Sequence, residues 1–155
     1  LLDKCLIPIL DAAAEKDIPV DLGVWWKKHI PEALKLAFIA MHRRIKESGE
    51  RSGCTASVAV VSGRLLTVAS VGDSHAVIDT GTQVIRVTAD HRVEDSKAEQ
   101  KRIVECGGKI ARSAHSKEDG GEEMGPLRVW PGGLAISRTL GDVAAESAGV
   151  IPEPE

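Results

Sequence analysis

Short connections between β-rich runs constrain this chain more than any other feature of its sequence. Residues 54–61 (CTASVAVV) and 64–71 (RLLTVASV) flank Ser62-Gly63, and residues 75–79 and 83–88 flank Thr80-Gly81-Thr82. Runs of this kind around Gly-containing breaks read as strands joined by tight turns. A parallel crossover needs about a dozen residues, so these four runs must pair antiparallel, and they predict a meander over 54–88. Three of its positions are small, Ala56, Ala59 and Ala69, which lets a second layer approach closely.

The hydrophobic period differs on either side. Leu2, Leu6, Ile9, Leu10 and Ala13 recur at helical spacing and predict a helix over 1–14, with Pro8 removing one backbone donor. A second helix is predicted over 25–46. Its apolar stripe is Leu34, Phe38, Met41 and Ile45, with Lys35, His42, Arg43 and Lys46 off the stripe. Pro31 either kinks this helix or begins its main part. Ser96-Lys97-Ala98-Glu99 has the form of a capping box, and it predicts a helix running to Gly107-Gly108. A short strand near 109–111 follows, then a hairpin of 127–130 with 134–137 around Pro131-Gly132-Gly133. Helices, strands, a helix and further strands in blocks predict α+β layers rather than a βαβ crossover fold.

Composition narrows the function classes. At 155 residues the chain suits one domain, and 20 Lys+Arg against 23 Asp+Glu leave a charge of −3. That lacks the basic footprint of a nucleic-acid binder, and no apolar run approaches the ~20 residues that span a bilayer. The expected partners therefore include neither nucleic acid nor membrane. With one Phe and no Tyr, the core must be built from Val, Ile, Leu and Ala. The acidity concentrates in 117–123 (KEDGGEE), which reads as a solvated loop or a partner-selecting insertion. Cys5, Cys54 and Cys106 have no zinc-ligand spacing. Cys54 and Cys106 are expected to be buried apolar residues. Free thiols fit a reducing compartment, hence the cytoplasm or nucleus.

Few residues invite chemistry. Gly72-Asp73-Ser74 joins two predicted strands, where it is either an ordinary turn or a carboxylate presented to a hard cation. One Asp does not make a metal site, and the other acidic candidates are Asp90, Asp142, Glu153 and Glu155. Asp90-His91-Arg92 suggests acid–base work or a strand-end turn with a hydrogen-bonded His. There is no Gly-x-Ser-x-Gly elbow and no phosphate loop ending in Gly-Lys-Ser/Thr. Trp25, Trp26 and Trp130 are too sparse for a base-stacking surface.

Six segments between Ser52 and Glu155, in one order, carry a stronger signal: SGCTASVAVV, LLTVASVGDSHAVI, VTADHR, KRIVECGGKI, LAISRTLGD and VIPEPE. Together they resemble the metal-dependent serine/threonine protein phosphatases of type 2C, and GPLRVWPGGLAISRTLGD looks most like a subgroup common in plants and green algae. The resemblance implies a four-layer αββα fold, an antiparallel β-sandwich flanked by helices. It implies hydrolysis of phosphoserine and phosphothreonine in phosphoprotein substrates with two Mg²⁺ or Mn²⁺ ions, a metal pair able to activate water and stabilise in-line displacement. Asp73 matches the family's Gly-Asp-Ser aspartate, associated with a metal position beside the main pair. His75 stands where the family usually has Arg, and Ser137, Arg138 and Asp142 match a motif read as framework. The family's Asp-Gly-His-Gly motif would precede residue 1, and its Asp-Gly-x-Trp-Asp and Asp-Asn motifs would follow Glu155. Residues 1–155 are therefore expected to be a partial catalytic domain truncated at both ends, inert in isolation. Its parent would be either an active phosphatase or a pseudophosphatase serving as a scaffold.

Overall fold

The computed structural model describes residues 22–116 and 122–155. The helix expected over 1–14 and the centre of the acidic run lie outside the described residues. Helix α1 (Leu22–Glu47) continues through Pro31, and Arg44 and Lys46 in its last turn suit the negative end of the helix dipole. Its buried face steps by four, through Ile30, Leu34, Phe38 and His42. This corrects the expected stripe at two positions: Met41 is exposed and His42 is inside. The reason is pairing distant in sequence: His42 Nδ1 accepts the Gly141 N–H (3.2 Å) and Nε2 bonds Glu146 (2.8 Å), which satisfies a buried imidazole.

Strands β2 (Ala56–Ser62) and β3 (Leu65–Val71) form the first hairpin, in register from Ala56↔Val71 to Ser62↔Leu65. Helix α1 covers one side: Ile30, Leu34 and Phe38 pack against Ala69, Val71 and Leu140, with Ile45, Ala56 and Val60 at the margin. The small side chain at Ala69 permits that close approach, as expected. Strands β4 (Val77–Asp79) and β5 (Val84–Arg86) form a second hairpin. All described ladders are antiparallel, but the single meander is not formed, because β3 and β4 do not pair. Short connections dictate the sense of pairing between neighbours in sequence and leave open which strands share a sheet. Residues 72–76 swing the chain away from β3, and β1 (Gly53–Cys54) turns off to pair with β8 (Leu140–Gly141). The outer edge of β3 is instead met by Glu155, which exchanges both backbone hydrogen bonds with Ser70 (2.7 and 3.1 Å).

The second layer is built around α2 (Lys97–Glu105) and a long hairpin of β6 (Lys109–Ser116) and β7 (Glu122–Trp130). Ser96 caps α2 by accepting the Glu99 N–H at 3.3 Å. At the other end Gly108 N–H reaches Ile103 O and Gly107 N–H reaches Val104 O, the paired bonds of a Schellman stop. Val93, Ile103, Val129, Ala145, Ala148 and Val150 form this core. Strand β6 is longer than the 109–111 expected, because it continues through an irregularity between Arg112 and Ala114. Residues 134–137 do not form the expected strand. They make single bridges, Val129↔Leu134 and Arg92↔Ile136, because their polar groups go to other partners described below. A 3-10 helix (Val143–Ala148) closes the layer. Cys54 and Cys106 are both exposed free thiols, contrary to expectation, since one sits on a two-residue strand and the other caps α2. Among the described residues no helix is long and apolar enough to cross a membrane. The α+β class is as the sequence indicates.

The stability of the first layer should rest on the contact between α1 and β3. Leu34→Ala, at a position 1% exposed, is expected to cost about 2–5 kcal/mol in urea unfolding. Val61→Ala, at a position 73% exposed, should stay within about 1 kcal/mol.

Candidate functional site

The turn after β3 is over-determined. Gly72 has φ +92, and a Cβ there would lie 2.3 Å from Thr55 Cγ2, so neither the backbone angle nor the space admits another residue. Its N–H donates to His91 Nδ1 (3.1 Å), and its carbonyl accepts the His91 backbone N–H (3.3 Å). On the other side of Asp73, the Ser74 hydroxyl bonds Thr55 Oγ1 (2.7 Å) and its carbonyl accepts from Ser57 (3.1 Å). Asp73 is thus presented at a sheet end between two fixed neighbours. Its Oδ2 pairs with Arg92 at 3.2 Å, a part-exposed contact of about 1 kcal/mol or less.

The other acidic candidates do not join it. Asp90 accepts the Arg92 N–H (3.0 Å), pairs with Arg86 (3.0 Å) and lies 3.7 Å from His75. Burial works against its charge, but the Arg92 N–H, Arg86 and His75 outweigh it and hold the carboxyl below its ordinary range. Asp142 adopts φ +50 and accepts the Thr139 hydroxyl at 3.0 Å. Glu153 pairs with Lys35 at 3.0 Å, and Glu155 with Arg138. Among the described residues no three His, Cys, Asp or Glu side chains converge to hold a metal ion. Asp73 nevertheless suits one arm of a shared cation site. It is a hard oxygen donor at a fixed turn, and its second oxygen carries no hydrogen bond among the described residues.

Behind the turn lies a network that sequence reasoning missed. The capping-box pattern predicts that Glu99 reaches back toward Ser96. Its carboxylate instead turns inward, meeting Arg102 (Nε, 3.1 Å), Arg138 (3.0 and 3.2 Å) and the Ser137 hydroxyl. Arg102 also donates to Gly149 O (2.5 Å) and Ser137 O (3.1 Å), and Arg138 to Glu153 O (3.0 Å). The Ser137 hydroxyl is shared with His91 O (3.1 Å). Ser137 and Arg138 therefore sit in the framework, as their motif suggested. Burial raises the Glu99 pKa, but Arg102, Arg138 and Ser137 overcome it and hold the group far below the ordinary carboxylate range. Burial and then Arg138 push the fully buried His91 down, against the opposing pull of Gly72, Glu155 and Glu99. The signal for this hub was Glu99 itself, a charged residue one turn into a helix whose apolar Ile103 must also face inward; nothing in the sequence named Arg138 as its partner.

The sequence pattern described as Protein phosphatase 2C matches residues 24–155. The chain belongs to the protein phosphatase 2C family. It is 43% identical over 119 residues to Probable protein phosphatase 2C 15 of Arabidopsis thaliana, covering 76% of this chain and 27% of that protein. Against Probable protein phosphatase 2C 33 of Oryza sativa subsp. japonica it is 44% identical over 118 residues, with the same coverages. The chain thus spans 27% of the length of these plant relatives. In structure it is similar to a C. elegans sex determining protein, with TM-score 0.67 and 26% identity, over 94% of this chain and 32% of that one. A serine-threonine phosphatase 2C from Toxoplasma gondii shares the fold, with TM-score 0.64 and 16% identity over 99% of this chain and 54% of that one. The Gly72-Asp73-Ser74 turn and the Glu99 hub both fall within the matched phosphatase 2C region.

Two outcomes follow for stability. Glu99→Leu leaves Arg102 and Arg138 facing each other without their carboxylate, and it should cost about 3–5 kcal/mol in chemical unfolding. The pH dependence should have two stages. His91 has a lowered pKa when folded, so the unfolded chain binds the extra proton and stability falls as pH drops below about 6.5. Glu99, Asp90 and Glu146 are also lowered, so their contribution is present above their ordinary carboxylate values and is lost as pH falls through about 4.5 and below. Thermal melts from pH 8 to pH 3.5 should show both stages, and His91→Asn should remove the first alone.

Proposed function

We propose that the protein to which these residues belong is a metal-dependent protein serine/threonine phosphatase, acting on phosphoserine and phosphothreonine in protein substrates with Mg²⁺ or Mn²⁺. The observation that carries this reading is the phosphatase 2C match over 24–155, with Asp73 held in an over-determined turn inside it. A bound divalent cation supplies Lewis-acid stabilisation of phosphoryl oxygens and a more acidic water. The chain's own contribution is Asp73 as one ligand, with Thr55, His91 and the special backbone of Gly72 fixing where it stands, and Arg92 balancing its charge. Ser137, Arg138 and Glu99 serve the frame and touch no substrate. The free thiols at Cys54 and Cys106 support a cytoplasmic or nuclear setting, and the near-neutral charge supports partners that are phosphoproteins rather than nucleic acid.

Asp73→Asn in the full-length protein should shift the Mn²⁺ dependence of phosphothreonine-peptide hydrolysis about tenfold or more toward higher metal, with the melting temperature little changed. An unshifted curve would make Asp73 an ordinary turn residue. Residues 1–155 alone should release no chelator-sensitive phosphate, because one fixed carboxylate cannot hold a cation that takes about six oxygen ligands. A full-length protein that is folded but inert at every metal concentration would favour the scaffold reading.

A further inference from the structure

We infer that His91 is a positioning residue for Asp73: by accepting the Gly72 N–H at Nδ1, it fixes the backbone of the glycine whose conformation aims the Asp73 carboxylate at a divalent cation. The inference rests on the metal-ligand reading of Asp73.

His91 is completely buried, yet its ring does not behave as mere filling. Residue 91 engages both backbone polar groups of Gly72, the N–H through Nδ1 (3.1 Å) and the carbonyl through its own N–H (3.3 Å). Nδ1 also lies 3.0 Å from that carbonyl. The backbone N–H of His91 already serves the carbonyl, whereas the Gly72 N–H has Nδ1 as its acceptor. The consistent tautomer therefore leaves Nδ1 bare and puts the ring proton on Nε2. Nε2 has no hydrogen-bond partner among the described residues, and Glu155 Oε2 lies 3.6 Å away, beyond hydrogen-bond reach. A buried imidazole with one unsatisfied nitrogen is costly, and an apolar side chain would fill the space without that cost. What the imidazole adds is the bond to Gly72, the residue before Asp73.

The ring is itself held from behind. The His91 carbonyl accepts both the Ser137 N–H (2.9 Å) and the Ser137 hydroxyl (3.1 Å), and that hydroxyl is shared with Glu99. The next residue, Arg92, bonds Asp73 directly. Two consecutive residues, 91 and 92, thus hold two consecutive residues, 72 and 73. Histidine Nδ1 holds the glycine before the aspartate, and the Arg92 guanidinium holds the carboxylate. This is the arrangement by which an outer group orients a metal ligand without touching the metal.

The test uses the full-length protein with Mn²⁺ as the probe, binding being read from free Mn²⁺ by EPR. His91→Asn keeps an acceptor oxygen two bonds from Cβ, where Nδ1 stands. His91→Gln moves its acceptor one bond further, to the place of Nε2, and His91→Leu has none. The Gln and Leu variants should bind Mn²⁺ about tenfold more weakly, while Asn stays within about threefold of wild type. In ¹⁵N-glycine-labelled protein the Gly72 amide resonance should move in Gln and Leu and stay near its place in Asn. Circular dichroism establishes folding, and the Asn–Gln pair carries the comparison if Leu does not fold. Wild-type affinity in the Gln variant, or Asn and Gln losing affinity equally in step with their melting temperatures, would overturn the role of His91 while leaving Asp73 a ligand. A wild type that binds no Mn²⁺ would overturn the metal reading, and this inference with it.

Discussion

A single buried carboxylate ties helix α2 to the largely irregular chain that follows β7. Glu99 reaches Arg102 on its own helix and Arg138 thirty-nine residues away, and the two guanidinium groups then spend their remaining N–H bonds on the carbonyls of Ser137, Gly149 and Glu153 and on the Glu155 carboxylate. Charges this deep are tolerated only when paired and fully hydrogen-bonded. Three carbonyls of the largely irregular stretch from 134 to 155, those of Ser137, Gly149 and Glu153, settle on arginines that Glu99 keeps in place. Such a network adds little net stability over an apolar core of the same volume. It supplies position: α2, the Ser137–Arg138 segment and the 149–155 segment have one mutual arrangement that satisfies every partner.

That arrangement reaches the exposed turn after β3. Ser137 fixes the backbone of His91, His91 fixes Gly72, and Gly72 has the backbone angle that turns Asp73 outward. The α1 layer reaches the same turn from the opposite side, since Val71, the residue before Gly72, is packed beneath Leu34 and Phe38. The carboxylate pairs with Arg92 and stands on an anchored turn. The division is between side chains buried in the frame and one carboxylate, Asp73, that stands part-exposed at the turn.

Several features were legible because they depend on neighbours in sequence. Helix spacing located Leu34 and Phe38, Ser96 marked the start of α2, Gly107-Gly108 marked its end, and the two- and three-residue connections required antiparallel hairpins. The errors share one origin. His42 looked like a surface residue because its partners, Gly141 and Glu146, are about a hundred positions away. The meander failed because turn length does not decide which strand comes next to β3, and Glu155 takes that edge. Residues 134–137 read as one arm of a hairpin, yet beyond the single Val129–Leu134 bridge their backbone hydrogen bonds go to His91, Val93 and Ile151.

The sequence by itself determined the class of the fold and the family through six ordered segments, since these follow from local periodicity, turn chemistry and motif order. Tertiary structure alone decided that Glu99 faces Arg138 rather than its own cap, that His91 is buried against Gly72, and that Asp90, Glu153 and Glu155 pair with separate cations while Asp142 takes the Thr139 hydroxyl. The physical reason is that a charged or hydrogen-bonding side chain chooses among all the partners the folded chain brings within about 3 Å, and linear order does not encode that choice.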